Sequence, residues 1–161
     1  KVRNEDEYLE ASKEAFSLDH KILLEQAIIG REIEAAVLGN DSPEVAATLG
    51  EIIPSHEFYS YEAKYVDPNG ASLKIPAEIE ANVANRIRDL AVESFRIVEG
   101  LGMARVDFFL TKDNQIYINE INTLPGFTSI SMYPKLWEAS GLSYSELLHQ
   151  LVQLGLQRAT V

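Results

Sequence analysis

Two apolar runs joined by a short polar turn constrain the fold of this chain more than any other feature. The runs are residues 105–110 (RVDFFL) and 116–122 (IYINEIN), and the turn between them is 112–115 (KDNQ). β-Branched and aromatic residues favour strands, whereas Asp and Asn favour turns. The sequence therefore predicts a β-hairpin.

The register of this hairpin decides which polar side chains meet. If the turn has two residues, 113 and 114, then Asp107 lies opposite Glu120 and Arg105 lies opposite Asn122. Because side chains alternate between the faces of a strand, all four then share one face. This register is an assumption, since a slip of one residue would separate them.

Facing carboxylates repel each other, so the pair Asp107 and Glu120 requires an explanation. One explanation is a cation between them: Asp, Glu and Asn supply the hard oxygen ligands that Mg²⁺ prefers, together with water and phosphate. The alternative is a charge network in which Arg105 neutralises both acids, because paired acids without a metal are common on sheet surfaces.

The composition limits the classes of function. The chain has 161 residues, is 46% hydrophobic and has a formal net charge of -11, with no cysteine. This length is sufficient for one ordinary core, and such acidity argues against binding of nucleic acid or anionic membranes. The absence of cysteine excludes disulfides and permits a cytosolic setting. No apolar run approaches the length that spans a bilayer.

Periodicity and turn signals predict a mixed α and β layout. Helices are expected at 4–16, with a capping box from Asn4 to Glu7, at 77–99 and at 131–140, and a last helix is expected to begin after Ser143. Strands are expected at 21–27, 31–38 and 44–53. The segment 54–76 is long, polar and aromatic, and such loops are often functional.

Three further groups are candidates for binding. The segment 23–32 could hydrogen-bond a flat base, with Glu32 accepting from ribose hydroxyls, although Glu32 alone is more simply a solvated strand residue. The run 56–65 is typical of a lid over phosphate, or of a surface Ω-loop. Gly126 allows close approach to a ligand, and Ser131 could bind an anion or serve as an ordinary helix N-cap.

Taken in order, these motifs resemble one family over essentially the whole chain. They are LEQ at 24–26, GRE at 30–32, YSYEAKY at 59–65, RVD at 105–107, NEINTLPGFT at 119–128 and SMYP at 131–134. The set is similar to the C-terminal half of D-alanine–D-alanine ligases, which are ATP-grasp enzymes. The resemblance implies an α+β fold, the C-terminal region of an ATP-grasp domain over 1–161, with a mostly antiparallel sheet and packed helices.

The resemblance also implies roles for individual residues. The magnesium ligands would be Asp107, Glu120 and Asn122. Adenine would contact the hinge of Glu25, Gln26, Ala27 and Ile28, ribose would contact Glu32, and phosphate would contact Lys64. The catalytic and substrate-binding residues would be Arg105, Gly126, Ser131, Met132 and the lid residue Tyr65, which favours D-alanine as the second substrate.

The implied enzyme is a cytoplasmic ligase that uses ATP, D-alanine and two Mg²⁺ ions, with Mn²⁺ as a substitute, for peptidoglycan synthesis. It has no nucleic-acid or membrane partner, and a homodimer is left open. The family's first D-alanine domain and early ATP-binding elements have no counterpart in these 161 residues, so we expect the chain alone to be inactive. The alternatives are another ATP-grasp carboxylate–amine ligase, such as a D-alanine–D-lactate ligase, and a non-catalytic acidic interaction module.

Overall fold

An antiparallel sheet of six strands, packed with helices, makes up the computed structural model, which describes residues 1–54, 71–128 and 130–158. In chain order the elements are α1 (Glu5–Leu18), β1 (Arg31–Gly39), β2 (Glu44–Val45), β3 (Gly50–Pro54), β4 (Ala71–Lys74), α2 (Ala81–Ile97), β5 (Gly102–Leu110), β6 (Ile116–Asn122), α3 (Met132–Ala139) and α4 (Tyr144–Arg158). The strand order is β4-β3-β1-β5-β6, with β2 paired to β1. The pairings among these strands are all antiparallel, which confirms the predicted α+β fold.

The central strand β1 divides the core into two layers. Ile33, Ala35 and Val37 pack with α2 in one apolar cluster, whereas Ala36 and Leu38 pack with α3 and α4 in another. This division follows from the alternation of side chains along a strand that is buried on both faces. The sheet is therefore the middle layer between α2 and the pair formed by α3 and α4.

Helix α2 forms where the apolar spacing predicts it, although it begins later than expected. Val83, Ile87, Ala91 and Phe95 recur every four residues and are buried against the sheet. After Ile97 the chain turns through Glu99, which has a left-handed φ of 53°. The N–H of Gly100 then donates to the carbonyl of Phe95 at 2.8 Å, as in a helix C-cap.

The turn of the β5–β6 hairpin differs from the assumed one. Thr111 N donates to Gln115 O at 3.0 Å, so three residues separate the paired positions rather than two. Asn114 has a left-handed φ of 61°, a conformation that asparagine adopts more readily than most residues and that three-residue hairpin loops use. The assumed two-residue turn is therefore wrong.

A β-bulge corrects the register before the strands reach the acidic residues. Near the turn Phe108 pairs with Ile118, whereas one step further Asp107 pairs with Glu120. Asn119 is the extra residue in β6. The predicted pairings of Asp107 with Glu120 and of Arg105 with Asn122 are thereby confirmed, for a reason that the sequence analysis did not foresee.

Two predicted strands need correction. Residues 21–27 form no strand in the described chain, and Leu23 and Leu24 are 81% and 69% exposed. The run 44–53 is divided into β2 and β3, because the four residues 46–49 lie opposite only two residues of β1. The two extra residues preserve the alternation of faces, so the burial pattern continues across the break. The segment 54–76, expected to be irregular, contains β4.

The predicted capping box of α1 forms only in part, and a second capping box is present at the start of α4. Asn4 Oδ1 accepts from Glu7 N at 2.9 Å, although Glu7 accepts from the N–H of Arg3 rather than from that of Asn4. Ser143 N donates to the carboxylate of Glu146 at 3.0 Å. Helix α1 buries none of its residues. Within the described ranges, no helix is both long and apolar enough to cross a membrane.

Candidate active site

Most of the predicted site residues line one cavity of about 260 Å³ on the α3 face of the sheet. The walls come mainly from β1, β5, β6 and the residues that lead into α3, with Ile52 of β3 and Leu73 of β4. The predicted residues that line it are Glu32, Arg105, Asp107, Glu120, Asn122, Gly126, Ser131 and Met132. The strand register explains this convergence, because Glu32 and the polar residues of β5 and β6 all point to the same face.

The other predicted residues that the structure describes do not line this cavity. The expected adenine hinge, residues 25–28, precedes β1 as an irregular and mostly exposed segment, and it does not line the cavity. Lys64 and Tyr65 lie outside the described residues. The structure thus brings together the predicted metal and substrate groups, but not the predicted adenine contacts.

Arg105 and Asp107 form a paired, two-bond contact in the cavity wall. Arg105 Nε donates to Asp107 Oδ1 and Nη2 donates to Oδ2, each at 2.7 Å. Burial lowers the pKa of Arg105, but the hydrogen bonds of Asp107 and the charges of Glu34, Asp107 and Glu120 outweigh it, so the pKa is raised. Arg105 is therefore a permanent cation at this site.

Burial also raises the pKa of Asp107. The hydrogen bonds and charge of Arg105 act in the opposite direction, and the charge of Glu120 adds to the rise. Asp107 is 8% exposed, so its charge depends on the arginine beside it. Part of the alternative charge network is therefore present: Arg105 pairs with one of the two hairpin acids.

Glu34 is a functional candidate that the sequence analysis missed. Its Oε2 lies 3.0 Å from Arg105 Nε, and the residue is 7% exposed. Glu34 stands opposite Asp107 in the β1–β5 ladder, on the same face as Glu32. A charged residue inside the apolar run of β1 was the available signal, but its partner could be identified only from the register between β1 and β5.

The chemistry of three side chains fits a hard divalent cation. Asn122 Nδ2 lies 3.0 Å from Asp107 Oδ2 and 3.3 Å from Glu120 Oε1, so the two carboxylates converge on one amide. A half turn of that amide presents its oxygen instead, which gives three oxygen donors and no nitrogen or sulfur. No group of three His, Cys, Asp or Glu side chains in the described chain forms a metal site, so the set depends on Asn122.

Ser131 precedes α3 but does not cap it through its side chain. Its Oγ instead accepts from Thr128 N at 2.9 Å and lies 3.0 Å from Thr128 Oγ1. A Cβ at Gly126 would come within 2.8 Å of Ser131 Oγ. The hydroxyl is thus directed toward the loop that lines the cavity. Ser131 occupies the N-cap position of α3, but it lacks the side-chain hydrogen bond of an ordinary N-cap.

The charge of the cavity favours a cationic ligand. Among its described lining residues four are acidic, namely Glu32, Glu34, Asp107 and Glu120, and Arg105 is basic, a formal excess of about three negative charges. Such a wall repels phosphate unless a cation is bound first. The charge of these residues is therefore compatible with a bound cation, and a phosphate-bearing ligand would need one.

Comparison with known proteins decides the family. Residues 1–153 match the family model described as D-ala D-ala ligase C-terminus. The chain belongs to this family. The D-alanine–D-alanine ligase of Oceanobacillus iheyensis is 58% identical over 158 residues, which cover 98% of this chain and 43% of that protein. The resemblance inferred from the motifs is confirmed.

Solved ligase structures share the fold. The D-alanine–D-alanine ligase of Coxiella burnetii matches with a TM-score of 0.85 and 44% identity, over 98% of this chain and 40% of that one. The Bacillus anthracis ligase complexed with ATP matches with a TM-score of 0.78 and 29% identity, over 97% of this chain and 49% of that one. The chain thus spans less than half the length of these relatives.

Proposed function

We propose that residues 1–161 are the C-terminal part of an ATP-grasp domain in a D-alanine–D-alanine ligase. The reaction joins two D-alanines through a D-alanyl phosphate, with ATP converted to ADP and phosphate. The observation that carries the proposal is the convergence of oxygen donors, an arginine and a glycine–serine loop in one cavity. The names of the relatives, one of them solved with ATP, support the same reaction.

Asp107, Glu120 and Asn122 are the proposed metal ligands. The proposal specifies two Mg²⁺ ions, with Mn²⁺ as a substitute. The bound ions supply charge neutralisation for the phosphates of ATP and for the acyl phosphate. The support for this assignment is that the carboxylates of Asp107 and Glu120 lie 3.0 and 3.3 Å from Asn122 Nδ2, so that a half turn of the amide would place three oxygen donors together.

Arg105 and the N–H of Gly126 are the proposed donors to the reacting carbonyl. When the amine of the second D-alanine attacks, negative charge develops on that carbonyl oxygen, and each preorganised donor is typically worth about 3–4 kcal/mol. Arg105 suits this role because its charge is permanent and Asp107 holds its guanidinium through two hydrogen bonds, with Glu34 Oε2 3.0 Å from Nε. Ser131 and Met132 are proposed to receive the carboxylate of the second D-alanine.

The nucleotide contacts are proposed from the family resemblance. Residues 25–28 would contact adenine, Glu32 would accept from the ribose hydroxyls and Lys64 would contact phosphate. Tyr65 would help to exclude water from the acyl phosphate, since hydrolysis would waste ATP. Of these groups, Glu32 lines the cavity.

Incubation of the intact protein with ATP, Mg²⁺ and D-alanine tests the proposal. We expect one D-alanyl-D-alanine, one ADP and one phosphate per turnover. Preference for D-lactate over D-alanine would favour the D-alanine–D-lactate alternative. An acidic interaction module would show no metal-dependent nucleotide binding. Glu120→Gln provides the control, because it removes one proposed ligand at an exposed position.

A further inference from the structure

Two buried carboxylates share the guanidinium of Arg105. Asp107 holds Nε and Nη2 at 2.7 Å, and Glu34 approaches the same Nε at 3.0 Å. The side chains of Arg105, Asp107 and Glu34 are 18%, 12% and 9% exposed, respectively. Burial of a carboxylate is costly, so a second one beside a single arginine needs a reason.

The other face of the same sheet shows that one carboxylate is enough to pair an arginine. Arg31 donates to Glu51 through Nε and through Nη2, both at 2.7 Å, and Glu51 is 8% exposed. This pair has the same two-bond geometry as Arg105 with Asp107. Neutralisation of Arg105 therefore accounts for Asp107 but not for Glu34.

We propose that Glu34 is a positioning residue, which keeps the Arg105 guanidinium aimed into the cavity while Asp107 serves the metal. This inference rests on the proposed function. The oxygens of Asp107 would bind both Arg105 and the cation. A shift of Asp107 toward the cation would weaken its hydrogen bonds to Arg105. Glu34 lies on the neighbouring strand with Oε2 3.0 Å from Nε, so its negative charge would still attract the guanidinium when Asp107 shifts.

The role predicts a particular kinetic change. An arginine that is misaimed by an ångström loses contact with charge that develops in the transition state, so kcat and kcat/KM fall together. Partners of this kind typically change activity or metal affinity by about 10–100-fold. We expect Glu34→Gln to lower kcat by about 10–100-fold, with the KM for ATP and for D-alanine, measured at saturating Mg²⁺, within about threefold of the parent values.

Glu51→Gln is the matched control. It makes the same substitution in a buried, arginine-bound glutamate of the same sheet, on the face away from the cavity. We expect it to reduce stability while kcat per active enzyme stays within about twofold. If Glu34 were merely structural, Glu34→Gln and Glu51→Gln would both lower stability, and neither would change kcat per active enzyme.

The experiment measures dipeptide formation, thermal unfolding and Mn²⁺ binding in the presence of ADP for the intact parent and each variant. Glu34→Asp retains the charge but withdraws it by one methylene, and we expect an intermediate kcat with the stability of the parent. If Glu34→Gln does not fold, Glu34→Asp tests the positioning role in its place. We expect Mn²⁺ to bind Glu34→Gln more weakly, because Arg105 then competes harder for Asp107.

The outcomes separate the two proposals. If the parent makes no dipeptide, the proposed function fails and this inference fails with it. If the parent is active and Glu34→Gln retains kcat within about twofold, only the positioning role is overturned. The same conclusion follows if Mn²⁺ affinity is unchanged, or if Glu51→Gln lowers kcat as much as Glu34→Gln does.

Discussion

In metal-free protein, removal of the charge of Asp107 and removal of the charge of Glu120 should have different effects on the stability of the fold. Asp107 is buried and holds Arg105 through two bonds, whereas Glu120 is exposed and its charge raises the pKa of Asp107. Asp107→Asn should therefore destabilise the fold, and Glu120→Gln should not. In the presence of metal and substrates, both substitutions should abolish most turnover.

The magnitudes follow from burial. Removal of one partner from a buried ion pair costs about 3–5 kcal/mol. Because Glu34 still lies 3.0 Å from Arg105 Nε, we expect a smaller loss for Asp107→Asn, about 2–4 kcal/mol. Glu120→Gln should stay within about 0.5 kcal/mol of the parent, since it removes a repulsion and only a 3.3 Å contact with Asn122.

Urea unfolding in EDTA measures the difference. Trp137, the single tryptophan of the chain, lies buried on α3 and provides a fluorescence signal. Asp89→Asn, on the exposed side of α2, is a control that should change neither stability nor activity. Equal destabilisation by Asp107→Asn and Glu120→Gln would refute this reasoning, and so would near-normal turnover of either variant.

Three smaller effects are also expected. The hydrogen bond from Arg31 lowers the pKa of Glu51. The pair therefore stabilises the fold above pH 4.5, and this contribution is lost as the pH falls through the lower pKa of Glu51 in the folded state. Arg31→Met should lower the free energy of unfolding by about 1 kcal/mol at pH 7 and weaken the dependence of stability on pH in the acid range. Gly126→Ala would place a Cβ 2.8 Å from Ser131 Oγ. It should raise the KM for the second D-alanine about tenfold, because one or more contacts to the carboxylate of that substrate are lost. An unchanged KM would contradict this expectation. Asn114→Ala should destabilise the hairpin by about 1 kcal/mol, whereas Asn114→Gly should be nearly neutral in thermal unfolding, since φ is 61°.

The hairpin shows how far the sequence alone could lead. The pairing of Asp107 with Glu120 was predicted correctly from a turn that was one residue too short, because the bulge at Asn119 compensates for the longer turn. Strand propensity locates the two runs, but a bulge depends on how the whole sheet twists and packs. The position of the site was therefore predictable, and its local geometry was not.

Other parts of the fold depended on information absent from local pattern. The run 21–27 is apolar enough for a strand, yet the described sheet offers it no partner, and a strand without a ladder has no backbone bonds to form. Glu34 was overlooked for a related reason, since its importance lies in a neighbour from β5. Features that depend on neighbouring residues in the sequence could be predicted. Features that depend on pairing between strands distant in sequence could not.

The position of the site follows from a change of chemistry along one face of β1. On this face Glu32 and Glu34 are followed by Ala36 and Leu38, and the two apolar residues are covered by α3. Met132, the first residue of α3, both packs in that core and lines the cavity. Apolar residues need a helix over them, whereas buried acids need cations, so the helix must begin where the acids end. The boundary in the sequence of β1 thus determines where α3 leaves the sheet open, and the cavity lies at that opening.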